Sequence, residues 1–133
     1  MPKLNALSLK TLLTVDAVTC AAMGAALLAA AVPASAITQI PQGLLQGAGL
    51  SLLPIAAFMA VTAMFALASR WAVGLVILGN LLWVAVSILL PLSGFIAPNV
   101  LGWSFLLGQA FIVAVLAKLE LDASRNALSL SRA

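Results

Sequence analysis

The sequence predicts an all-α, polytopic membrane protein, an up-down bundle of four transmembrane helices forming a single domain, and three observations carry that prediction. The first is the charge map. Apart from Asp16, the charged residues lie near the ends or at Arg70, leaving residues 17–69 and 71–117 without any charge. A spanning helix needs roughly 20 apolar residues to cover a hydrocarbon core about 30 Å thick, so each stretch can cross a bilayer and return. The second is composition: 65% of the 133 residues are hydrophobic and 7% charged, with a mean hydropathy of +1.25. Soluble domains carry about 25% charged residues, and a soluble core of this size could not absorb so much apolar surface. The third is where the bases fall. Threaded through four crossings, Lys3, Lys10, Arg70, Lys118, Arg125 and Arg132 all lie on one side, while the opposite loops, 33–47 and 93–98, are uncharged. The positive-inside rule then predicts a multi-pass protein of the bacterial inner (plasma) membrane with both termini cytoplasmic.

Taken in order, the spans are expected at about 11–32, 48–69, 71–92 and 99–117, followed by a cytoplasmic tail over 121–133. Pro33 closes the first span. Pro41 and Gly43 interrupt the connection to the second, and Pro91, Gly94 and Pro98 mark the turn between the third and fourth. Ser69 and Arg70 alone separate the second span from the third, which predicts an antiparallel helical hairpin. Segment 34–47 mixes Gln39, Gln42 and Gln46 with Ile37, Ile40, Leu44 and Leu45 and suits the headgroup layer, either as a loop resting on lipid or as a flap over an outward cavity. A secretory leader is a rival reading of the first span, because Ala34-Ser35-Ala36 has the small-x-small pattern of a cleavage site and cleavage would leave three spans. The run from Leu12 to Val32 is longer than a leader's apolar region and contains Asp16, so an uncleaved helix is expected. Beyond a likeness between Gly49-Leu50 and Gly74-Leu75, no internal repeat stands out.

Several functions fall away at this point. The pI of 9.8 comes from scattered bases that form no stripe, so they read as topology signals facing anionic lipid, and nucleic-acid binding is not expected. With no His and with Cys20 alone, neither a disulfide, a zinc site, a haem nor an iron-sulfur cluster is expected, and no cofactor is assigned. An enzyme is not expected either, since no base accompanies Cys20 or Asp16 and no paired acids are evident.

In lipid the backbone is satisfied within each helix, so the informative groups are polar side chains that another helix or water must meet. A rise of 1.5 Å per residue from the nearest base puts Asp16 about 9 Å, Thr62 about 12 Å, Asn80 about 15 Å and Gln109 about 13 Å into the membrane. These four are the candidate polar layer, a proton or ligand site made of one carboxyl, two carboxamides and a hydroxyl. Asp16 is the sharpest, because a charged residue at mid-helix costs about 2.5–3.5 kcal/mol even on the mildest scale. It either takes up and releases a proton as an inner cavity changes access, or serves structurally by accepting hydrogen bonds from Asn80, Gln109 or water near the positive end of its helix. Asp16, Cys20 and Gly24 form one narrow stripe, and Gly102 and Gly108 are small positions on the fourth span, so Cys20, Gly24, Gly102 and Gly108 are candidate packing residues. Asn80, Trp83 and Ser87 share a face of the third span, and Ser104 with Gly108 makes a small-xxx-small pair on the fourth. Trp71 and Trp103 fall near the two interfaces, and Trp83 is mid-span.

Residues 13–24 (Leu-Thr-Val-Asp-Ala-Val-Thr-Cys-Ala-Ala-Met-Gly), 79–87 (Gly-Asn-Leu-Leu-Trp-Val-Ala-Val-Ser), 107–111 (Leu-Gly-Gln-Ala-Phe) and 117–120 (Ala-Lys-Leu-Glu) carry a resemblance to the small four-helix inner-membrane proteins of bacteria that are left without an assigned function. It covers most of the chain and implies no mechanism. In layout the chain is also similar to small multidrug-resistance transporters, whose first helix holds an essential acid. Asp16 would stand in that place, as Asp rather than Glu, and the aromatic residues of their substrate site are mostly missing: the chain has no Tyr.

The function expected is therefore an accessory or structural bundle, or one that binds lipid or another hydrophobic ligand, associated with the bilayer and with a larger membrane complex or further copies of itself. The alternative is a proton-coupled small-molecule transporter with Asp16 as the intramembrane acid.

Overall fold

The computed structural model describes residues 8–132, with side chains through Asn126; Lys3 and the side chain of Arg132 lie outside the described residues. Five helices form: α1 (Leu9–Ala29), α2 (Ala31–Thr38), α3 (Gln42–Phe65), α4 (Arg70–Leu92) and α5 (Val100–Arg132). Among the described residues there is no strand, and α1, α3, α4 and most of α5 are each long and apolar enough to cross a membrane. The chain is a multi-pass, all-helical bundle.

Local chemistry sets the helix ends. Ser8 opens α1 by accepting the Thr11 amide at 3.1 Å, and Ser69 opens α4 by accepting the Ala72 amide at 3.1 Å. α1 breaks at Ala30 because Pro33 has no N–H to give the Ala29 carbonyl and its ring would strike that oxygen. The chain restarts at once as α2, which ends on Gln39 in the left-handed region at φ 59°.

Two elements differ from the sequence reading. Segment 34–47 is mostly helix, α2 followed by the start of α3 after Pro41, since its apolar residues gain more by packing on the bundle than by lying loose at the headgroups. The fourth helix does not stop near 117. No breaker follows Ala117, and Lys118 pairs with Asp122 one turn on at 3.2 Å, so α5 runs 33 residues and outlasts the hydrocarbon layer.

Packing is uneven. α1 lies along α3 over its whole length, α4 lies along α5, and α1 meets α5 to join the pairs. α3 and α4 barely touch, although only residues 66–69 connect them. The expected hairpin is splayed rather than zipped. The α1/α3 contact is close because Gly24 and Gly49 face each other: a Cβ on Gly24 would stand 3.0 Å from the Gly49 carbonyl oxygen, and one on Gly49 would stand 2.9 Å from that of Gly24. One core, toward the Arg70 end, gathers Leu13, Ala17, Met59, Ala63, Val73 and Val76, and a second, toward α2, gathers Leu27, Ala31, Ile40, Leu45 and Leu52. Large apolar side chains cover the outside, Phe95 at 82% and Trp71 at 77% exposure among them, as a lipid solvent requires.

Asn99 fastens the end opposite Arg70, where α2 meets the start of α5. Its side-chain oxygen accepts the Gly102 amide at 2.9 Å, capping α5, while its side-chain nitrogen donates to the Ile37 carbonyl at 2.8 Å and its backbone N–H to the Thr38 carbonyl at 3.1 Å. The freed carbonyls at the end of α2 are thus met by the start of α5.

Candidate functional site

Three helices bring one polar side chain each to a common point in the half of the bundle nearer Arg70. Asp16 of α1 is 1% exposed, Asn80 of α4 is 4% and Glu120 of α5 is fully buried. The Asn80 side-chain nitrogen donates to Asp16 Oδ2 at 2.8 Å and to Glu120 Oε1 at 2.9 Å. Sharing that one nitrogen, the two carboxyl groups are close neighbours. Asp16 Oδ1 accepts from the Cys20 thiol one turn along α1, at 3.6 Å. Glu120 Oε2 is buried and has no partner among the described residues. No described base compensates these acids, since Lys10, Arg70, Lys118 and Arg125 are all exposed.

A second polar group sits further along α4, toward its C-terminal end. Trp83 donates its indole N–H to Gln109 Oε1 at 2.7 Å, and the Gln109 nitrogen donates to Ser87 Oγ at 2.8 Å and to its own helix at the Leu106 carbonyl at 2.9 Å. Ser87 in turn donates to the Trp83 carbonyl at 2.7 Å. Every N–H of this cluster is thereby used.

The four residues expected in one layer are therefore divided. Asp16 and Asn80 meet. Gln109 belongs to the second cluster, and Thr62, 1% exposed, turns its hydroxyl to the Phe58 carbonyl of its own helix at 2.8 Å. Counting depth from Lys118 misplaced Gln109, because α5 continues well past Lys118 and the residue at the level of Asp16 is Glu120. Sequence reasoning missed Glu120 because it stands between Lys118 and Asp122 and looks like part of a solvated end. A signal was present: Gln109 and Glu120 are eleven residues apart, close to three full turns, so they share a helix face. Lys118 and Asp122 point away from that face.

The packing candidates also separate. Gly24 lies at the α1/α3 crossing, and Gly102 lies against the Thr38 backbone, where a Cβ would collide with it. Cys20 is half-buried and hydrogen-bonded to Asp16 rather than serving only as a small contact. Gly108 is exposed with nothing within 4 Å of where a side chain would begin, and Ser104 beside it is exposed too. That pair faces outward because the buried face of α5 runs through Ala110, Ala117 and Glu120.

Space surrounds the two clusters. Where α3 and α4 diverge, a cleft of about 370 Å³ is walled by Pro54, Ile55, Phe58, Leu75 and Gly79, with Cys20, Asn80 and Trp83 adding the polar part. A smaller cavity of about 70 Å³ touches Asp16, Cys20, Trp83 and Gln109, and a third of about 360 Å³ lies beyond Trp83 against Ser87 and Gln109. Trp83 borders all three.

Fold and site together define a class: a polytopic helical membrane protein with a buried acid pair bridged by an asparagine and an apolar cleft beside it. No protein family, curated protein or solved structure matches the chain.

Proposed function

We propose that this is an inner-membrane protein, both termini cytoplasmic, that holds a hydrophobic molecule drawn from the bilayer and carries out no catalysis. The observation that supports this is the cleft of about 370 Å³ between α3 and α4, apolar except where Asn80, Cys20 and Trp83 reach its wall. Binding sites for small molecules have this composition, a mostly apolar lining with a few placed polar groups. Such a bundle serves a larger membrane complex as an accessory subunit, or acts as further copies of itself. Gentle extraction followed by native mass measurement tests the reading. A hydrophobic molecule should travel with the protein and be lost when Gly79, which opens onto free space in the cleft wall, is replaced by Leu. A chain recovered bare from every mild detergent would contradict it.

One observation favours a second reading, a proton-coupled carrier: Glu120 places a second carboxyl beside Asp16, and carboxyl pairs inside membranes commonly serve as proton sites. In reconstituted vesicles that reading requires uptake driven by an imposed proton gradient and abolished by both Asp16→Asn and Glu120→Gln.

A further inference from the structure

We infer that the molecule held in the cleft is an amphiphile ending in a protonated amine, which donates to Asn80 Oδ1. The inference rests on the cleft being a binding site and names the chemistry of what fills it.

The argument is a count of hydrogen-bond donors. The amide nitrogen of Asn80 faces one oxygen of Asp16 and one of Glu120, so both of its hydrogens are spent there. Its oxygen, Oδ1, has no donor among the described residues, and Asn80 forms part of the cleft wall. The other two polar groups of the wall have also spent their hydrogens, Trp83 on Gln109 and Cys20 on Asp16. What the cleft offers a ligand is an acceptor. A ketone, a quinone or a carboxylate would set lone pair against lone pair, so the occupant has to bring the hydrogen.

Charge chooses between the remaining donors. Two close acids stand directly behind Asn80, and since neighbouring buried carboxyls do not both ionise, the pair leaves one negative charge there. Every described base is exposed, and Lys118 is already engaged by Asp122 at 3.2 Å. Away from water such a potential is weakly screened, which favours an ammonium over a neutral hydroxyl. The rest of the wall, Leu52, Ile55, Phe58, Met59 and Leu75, suits a hydrocarbon chain.

Trp83 reports on the cleft it lines. In the Trp71→Phe/Trp103→Phe protein, reconstituted in zwitterionic nanodiscs, chain-brominated alkyl probes of equal length ending in an amine, an alcohol, a methyl ketone or a carboxylate are titrated against its fluorescence. The amine should quench saturably, be displaced by its unbrominated counterpart, and bind at least about tenfold more tightly than the alcohol. The ketone and carboxylate should quench only in proportion to their concentration in the bilayer. Gly79→Leu, which blocks the cleft and leaves every hydrogen bond of the site in place, should remove the saturable phase. Saturable quenching of equal strength from all four head groups would overturn the amine while leaving the binding cleft standing. Linear quenching from all four would overturn both, and a saturable phase that survives Gly79→Leu would place the amine elsewhere and overturn the inference.

Discussion

Asn80 and Glu120, forty residues apart in the chain, are joined by a hydrogen bond of 2.9 Å that ties α4 to α5 at the depth where the same amide ties α4 to α1. A single side chain therefore fastens the helix pair α4/α5 to α1 and, through α1, to α3. Among the described residues no other side-chain hydrogen bond joins α1 or α3 to α4 or α5.

Asn80→Leu should accordingly destabilise the protein. It strands two buried carboxyl groups, each at about 1–3 kcal/mol for an acceptor left without its donor. Adding Asp16→Asn and Glu120→Gln, which supply new donors, should recover part of the loss. Equilibrium unfolding in mixed micelles measures both, and a purely additive triple variant would show that the three residues do not act as a unit.

The glycine crossing makes a contrasting pair of predictions. Gly49→Val forces side-chain atoms against the Gly24 carbonyl and should cost about 1–3 kcal/mol through overpacking. Gly108→Ala meets open space on the outer face of α5 and should stabilise by about 0.5–1 kcal/mol, the helix preference of Ala over Gly. Thermal unfolding of the two variants in the same detergent should move in opposite directions.

Asn99→Ala removes the cap of α5 together with the side-chain half of the clasp on α2, leaving only the backbone bond to Thr38. The cap alone is worth about 1 kcal/mol. Loss of the clasp should appear as faster hydrogen exchange over residues 31–40, with α4 unchanged. Uniform acceleration across the bundle would mean that α2 is not held locally.

Orientation has its own measurement. With Cys20 replaced by Ser, a cysteine at Ser69, beside Arg70 in the α3–α4 connection, should react with a membrane-impermeant maleimide only after the cytoplasmic face is exposed, and one at Phe95 only from the opposite face. The expected retention of the bases Lys10, Arg70 and Arg125 on the cytoplasmic side gives the physical reason.

The four spans were legible in the chain because spanning is a local property: an uncharged run such as 71–117 is long enough or it is not, and its helices satisfy their own backbones wherever they pack. Helix ends were legible wherever a single residue dictates them, as Pro33 does for α1. Asp16 and Asn80 stood out by the same logic, since a polar side chain in an apolar run needs a partner. The partner itself was another matter. Glu120 belongs to the site, whereas Gln109 and Thr62 do not, and that follows from how far α5 runs beyond Lys118 and which way its face turns toward α1 and α4. Likewise, adjacency along the chain suggested that the second and third spans would close on each other, yet the small-residue contact at Gly24 and Gly49 draws α1 onto α3 and leaves the cleft beside α4. Hydropathy and turn chemistry act over a few residues, so the sequence by itself determined how many helices cross and where they bend. Which faces meet depends on crossing geometry and axial offset between helices far apart in the chain, and only the tertiary structure decided that.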